Sequence, residues 1–164
     1  MENNTICIAI SIETSGESLK NNAIIQIIYI VFSLTKKKII EKAIWDINLD
    51  DTKKWDSKFV EKGLNESDIE TYTTKKKLYD KIKDGDGTNS TIVALDLVQR
   101  IKNVGEKYGS SNVNIMVDNV SADCSFINYF LDSHDLPPLH KIFGYYKDVI
   151  CSGYYIKDFA KIKI

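Results

Sequence analysis

Four short segments hold the side chains most open to chemistry. Ser11-Ile12-Glu13-Thr14-Ser15-Gly16 closes the first apolar stretch, and Gly63-Leu64-Asn65-Glu66-Ser67-Asp68-Ile69 lies in the polar middle. Val117-Asp118-Asn119-Val120-Ser121-Ala122-Asp123 marks a strand-to-helix junction, and Leu136-Pro137-Pro138-Leu139-His140 precedes Tyr146-Lys147-Asp148. Carboxylates at the ends of elements are ligands for hard cations. Each also has a plainer reading. Glu13 fits a solvated strand end, and Asp123 fits a first-turn acid favoured by the helix dipole. Asp118 fits a surface acid and Asn119 an ordinary turn residue. Ser11 sits in line with Cys7 and Ala9, small residues of one strand face, and no histidine accompanies it as a base, so it is not read as a nucleophile. Tyr145, Tyr146, Tyr154 and Tyr155 could stack bases, or simply pack. The runs Lys36-Lys37-Lys38 and Lys75-Lys76-Lys77 could meet phosphates, or remain solvated.

The elements that must position these residues follow from hydrophobic period. Residues 5–12 alternate strictly, with Ile6, Ile8, Ile10 and Ile12 on one face, which predicts a central strand that Glu13 continues. A second strand is predicted over 23–33 and a third over 36–47. The short link around Leu34-Thr35-Lys36 makes these two antiparallel. Trp55 and Phe59 share a helical face, with Gly63 as the expected stop. A further helix is predicted over 67–83, and Asp84-Gly85-Asp86-Gly87 reads as a loop. Ile92, Leu95, Val98, Ile101, Val104 and Tyr108 predict an amphipathic helix over 91–108, capped by Asn89, Ser90 or Thr91. A strand at 112–118, a helix from Ser121 that Pro137-Pro138 stops, and a strand near 147–151 complete the order.

Bulk properties narrow the class. The 164 residues are 43% hydrophobic and 27% charged, which suits one domain spanning 1–164 with a real core. A net charge of −1 excludes a global basic field, so any nucleic-acid contact is local. Arg100 is the sole arginine, which leaves little scope for bidentate phosphate clamps. The abundance of lysine, isoleucine and asparagine points to an AT-rich genome, and with the small size it fits a viral source. Cys7, Cys124 and Cys151 show no zinc-ligand spacing and read as reduced thiols of an intracellular protein. The polar start is unlike a signal peptide. The apolar run from Ala23 to Phe32 is about half the ~20 residues that a membrane helix needs.

In order and spacing, the four segments resemble the DEDD 3′–5′ exonucleases, the family of ribonuclease T and the proofreading exonuclease domains. The likeness covers about residues 5–150. Ser11-Ile12-Glu13-Thr14 stands where the family has Asp-x-Glu-Thr, and Gly63-Leu64-Asn65 where it has a Gly-Ile-Thr-like segment. Asp118-Asn119 with Asp123 takes the place of His-Asn-x-x-x-Asp. The resemblance implies an α/β, ribonuclease H-like fold: a three-stranded antiparallel meander extended by helix-connected strands, with helices on both faces. It implies two-metal hydrolysis, in which one Mg²⁺ or Mn²⁺ activates water and the other stabilises the leaving oxygen. Glu13 and Asp123 would be catalytic metal ligands, while Thr14 and Asn119 would contact single-stranded nucleic acid.

The chain departs from the family in two places. Ser11 replaces the first Asp, and a neutral hydroxyl is a poor Mg²⁺ ligand. The last motif, a His or Tyr followed by Asp, is matched only by Tyr154 with Asp158. Ser11, Asp118, Tyr154 and Asp158 are therefore weaker site candidates. Three readings follow: a catalytically impaired nucleic-acid-binding or interaction protein, an active metal-dependent exonuclease with Tyr154 positioning water, and a structural protein-binding module on the same fold. None places the chain in a membrane.

Overall fold

Strict alternation gives β1 (Ile6–Thr14) two faces of different character. Ile6, Ile8 and Ile10 enter the main core, while Cys7, Ala9 and Ser11 pack on the other side, and all six are buried. The computed structural model describes residues 4–151. β2 (Ile24–Ser33) pairs antiparallel with β1, and β3 (Lys38–Asp46) pairs antiparallel with β2. Lys37, at φ 50°, lies in the turn between them. On the far side of β1, β4 (Val113–Val117) pairs in parallel, and β5 (Val149–Cys151) is parallel to β4. The sheet order is β3-β2-β1-β4-β5. The expected meander with helix-connected strands is the architecture found.

Four helices fill the connections: α1 (Ser57–Asn65), α2 (Ile69–Lys83), α3 (Ser90–Tyr108) and α4 (Val120–Asp132). Each begins behind an Asp or Asn whose side chain accepts a first-turn N–H: Asp56, Asp68, Asn89 and Asn119. Such caps satisfy donors that the helix itself leaves unpaired. Gly63 lies inside α1, which runs on to Asn65, so it is not the stop that the sequence suggested. α4 ends at Asp132, ahead of Pro137, with Asp135 in left-handed backbone at φ 57°.

α3 and α4 cover the Ile6/Ile8/Ile10 face together with Ile115, Val117, Ile127 and Leu131. The buried face of α3 is Val93, Ala94, Leu97, Val98, Ile101 and Val104. Ile92 and Leu95 are 61% and 54% exposed, against the predicted stripe. Repeated steps of three residues drift about 60° each around a helix, so that stripe could not stay on one face. The true face alternates steps of three and four.

A bulge splits the start of β2. Glu13 faces Gln26 and Thr14 faces Ile24, which leaves Ile25 as the extra residue. Ile24 and Ile27 join the main core, whereas Ile25 joins Val60, Leu78, Tyr79 and Ile82 beneath α1 and α2. On the remaining face, Ala9, Ile28 and Ile30 form a third buried cluster. α2 reaches the end of that face: Gln26 donates to Asp46 Oδ1 at 2.8 Å, and Lys81 binds Asp46 Oδ2 at 2.6 Å.

Leu97→Ala is expected to lower stability by about 2–5 kcal/mol in urea unfolding, while Ile92→Ser changes it by no more than about 0.5 kcal/mol. Equal losses would refute the assigned face. Burial, and secondarily the charge of Glu13, push the Tyr79 phenol up to about 12. The folded state thus holds this proton at pH values where the unfolded chain has released it. Stability should therefore fall as pH rises from about 10 towards 12. Tyr79→Phe should flatten part of that fall in urea midpoints measured against pH.

Candidate metal and nucleic-acid site

Parallel pairing decides which polar residues meet. Ile10 lies beside Val117, so the next residues, Ser11 and Asp118, emerge together at the C-terminal ends of β1 and β4. Open α/β sheets bind their ligands at this kind of edge. The Ser11 hydroxyl, only 1% exposed, donates to Asp118 Oδ2 at 2.8 Å. The Cys151 thiol donates to the Asp118 carbonyl at 3.3 Å.

Glu13 is two residues beyond Ser11 and therefore on the same face. It is half-buried, and its charge acts on Tyr79 of α2. Thr14 turns its hydroxyl to the Gly16 carbonyl at 2.8 Å. The loop that follows is tied down firmly. Ser15 Oγ donates to Lys54 O at 2.9 Å and accepts from Ala23 N, while Asn22 Nδ2 also donates to Lys54 O at 2.9 Å. Gly16 is required there, because a Cβ would come within 2.4 Å of the Asn22 carboxamide. Lys53 adds bonds to Leu19 O and Lys20 O, and its ammonium lies over the Tyr129 ring.

Across the sheet end, α4 starts with a reciprocal cap. Asn119 Oδ1 accepts from Ala122 N, and Asp123 Oδ2 accepts from Asn119 N, both at 3.0 Å. Asp123 thus fills the plain first-turn role while standing at the same edge as Glu13. The structure brings Ser11 and Asp118 into contact; Glu13 and Thr14 follow at the end of β1, and Asn119 and Asp123 at the start of α4. Tyr154 and Asp158 lie outside the described residues. The roles of Ser15, Asn22 and Tyr79 were not read from the sequence. Only Ser15, next to Glu13-Thr14, carried any local signal.

A two-ion centre of the exonuclease kind needs several converging carboxylates. Among the described residues, no three His, Cys, Asp or Glu side chains form a group that could hold a metal ion. Ser11 contributes a neutral hydroxyl bonded to Asp118, and one Asp123 oxygen is engaged by the Asn119 N–H. These donors do not fit two adjacent dications.

No family model matches the chain, and no curated protein matches its sequence. Solved structures do match its fold. E. coli exonuclease I in complex with a dT13 oligonucleotide aligns over 95% of this chain and 29% of its own, with TM-score 0.61 and 12% identity. A full-length 3′-exonuclease aligns over 82% and 40%, with TM-score 0.56 and 12% identity. A 3′-exonuclease with a histone mRNA stem-loop aligns over 82% and 55%, with TM-score 0.55 and 12% identity. The chain thus spans between about a third and a half of these neighbours, and it shares with them the ribonuclease H-like exonuclease fold. No helix among the described residues is long and apolar enough to cross a membrane.

Proposed function

We propose that this chain is an exonuclease-like protein that binds single-stranded nucleic acid and whose phosphodiester chemistry is impaired. One observation carries the reading. At the position where the exonuclease pattern has its first acid, Ser11 is buried and donates its proton to Asp118 Oδ2 at 2.8 Å. An aspartate there would add negative charge beside Asp118 and could be neutralised by a dication. Serine instead closes a neutral-to-acid hydrogen bond, which is satisfied without metal. Glu13 and Asp123 are the surviving members of the acid set, and Thr14 and Asn119 flank the path of a strand. The nucleic-acid half of the proposal draws support from the fold neighbours, one with a dT13 oligonucleotide and one with an mRNA stem-loop.

The test is a time course on end-labelled single-stranded DNA and RNA with Mg²⁺, with Mn²⁺ and with chelator. The expected result is binding that weakens as salt rises, with no metal-dependent shortening. Shortening from the 3′ end that Glu13→Ala abolishes would establish an active exonuclease instead. Failure to bind either nucleic acid at low salt would leave a protein-interaction module on the same fold.

Ser11→Asp provides the converse test. Without metal it should destabilise the fold, because two carboxylates would share one buried place. Mn²⁺ should restore the lost stability, and calorimetry should find Mn²⁺ affinity raised on the order of tenfold. An S11D protein indifferent to Mn²⁺ would show that this position never faced a cation.

A further inference from the structure

At the opposite end of the sheet, where the chain enters β4 and β5, a cleft of about 620 Å³ opens between the C-terminal half of α3 and residues 137–144. Lys102, Gly105, Pro137, Lys141 and Phe143 line it. Gly105 allows the fit, since a Cβ there would come within 2.5 Å of Phe143 Cε1. Glu106 lines the same cleft, but Lys102 and Lys141 have no ion-pair partner among the described residues.

Two aromatic rings stand beside this cleft. Tyr145 is 46% exposed, and its hydroxyl donates to Ser110 Oγ at 2.8 Å. Tyr146 is 69% exposed, and its ring lies 5.8 Å from that of His140. The segment is pinned through Lys147. Lys147 N donates to His140 O at 2.8 Å, and Lys147 Nζ to Ser110 O at 2.7 Å. Both rings are therefore open to solvent, with Tyr145 held at its polar tip and Tyr146 set against the His140 ring. A partner stacking on Tyr145 has little side-chain freedom left to remove.

We propose that this surface is a second contact for an unpaired nucleic-acid strand, with bases stacked on Tyr145 and Tyr146 and phosphates against Lys102 and Lys141. The inference rests on the single-strand reading above but concerns the other end of the sheet. Exposed rings beside unpaired lysines are the combination that holds single strands without sequence preference. A duplex keeps its base faces stacked inside and cannot offer them to the rings. Lysines meet phosphates as point charges and impose no fork geometry. The length of β4 separates the two sites, roughly 17 Å at strand rise, so a long strand can reach both and a dinucleotide cannot.

The experiment measures binding of a labelled long oligonucleotide and of a dinucleotide to the full chain, with photo-crosslinking of a halogenated-base oligonucleotide to map contacts. Tyr146→Ala should weaken the long strand by about tenfold, and Tyr146→Phe should retain affinity. The Lys102→Gln, Lys141→Gln double variant should reduce the salt slope by about 1.4. Crosslinks should fall within residues 142–148. Unchanged affinity in Tyr146→Ala, with crosslinks only near Thr14 and Asn119, would overturn this surface and leave the single-strand reading intact. Equal losses in Tyr146→Ala and Tyr146→Phe would assign the effect to the phenol hydroxyl and overturn stacking. No binding by the unmodified chain would overturn both.

Discussion

The parallel pairing of β1 with β4 is the constraint on which the rest of the molecule turns. A parallel neighbour obliges the chain to cross over between the two strands, and α3 supplies the last part of that crossing. The pairing also buries β1 between two neighbours, which explains its load of isoleucine, alanine, cysteine and serine. Above all it aligns the strand ends, so that Ser11 meets Asp118 across the sheet although 107 residues separate them. Without this register the Ser11 hydroxyl and the Asp118 carboxylate would not meet.

The surrounding structure makes that edge stiff. The Ser15–Asn22 loop is bonded to the backbone at Lys54, and Asp56 N donates to Ser15 O at 2.8 Å just before α1 begins. The reciprocal cap of Asn119 and Asp123 fixes the start of α4. Polar side chains here mostly serve the fold first. The Ser11 hydroxyl closes this edge by donating to Asp118, without adding charge to it.

Much of this was legible in the residues, and the limits have physical causes. The alternation in residues 5–12 has period two and admits one reading, so β1 and its two faces were plain. Asn119 was read as a turn residue, and its role as the cap of α4 emerged only in the structure. The face of α3 was misread because apolar residues occur all around that helix, and spacing of three alone does not select among its sides. Gly63 was taken for a stop, yet no neighbour lies within 4 Å of a Cβ built there and the helix runs through it. The Ser11–Asp118 contact and the approach of Tyr79 to Glu13 are tertiary, and no local pattern encodes them. Tyr154 and Asp158, matched on spacing alone, fall outside the described residues.

The extra residue at Ile25 has a consequence for how this sequence can change. On either side of it, neighbouring side chains serve different cores, and the switch depends on one residue of chain length. Insertions and deletions are usually tolerated best in surface loops. Here a single-codon deletion at Ile25 would restore plain alternation in β2 and withdraw the side chain that seats α1 and α2, while Glu13 would keep Gln26 opposite it. The start of β2 is thus a reading frame for the fold, because one extra residue lets Ile24 and Ile27, three positions apart, face the same core while Ile25 serves another.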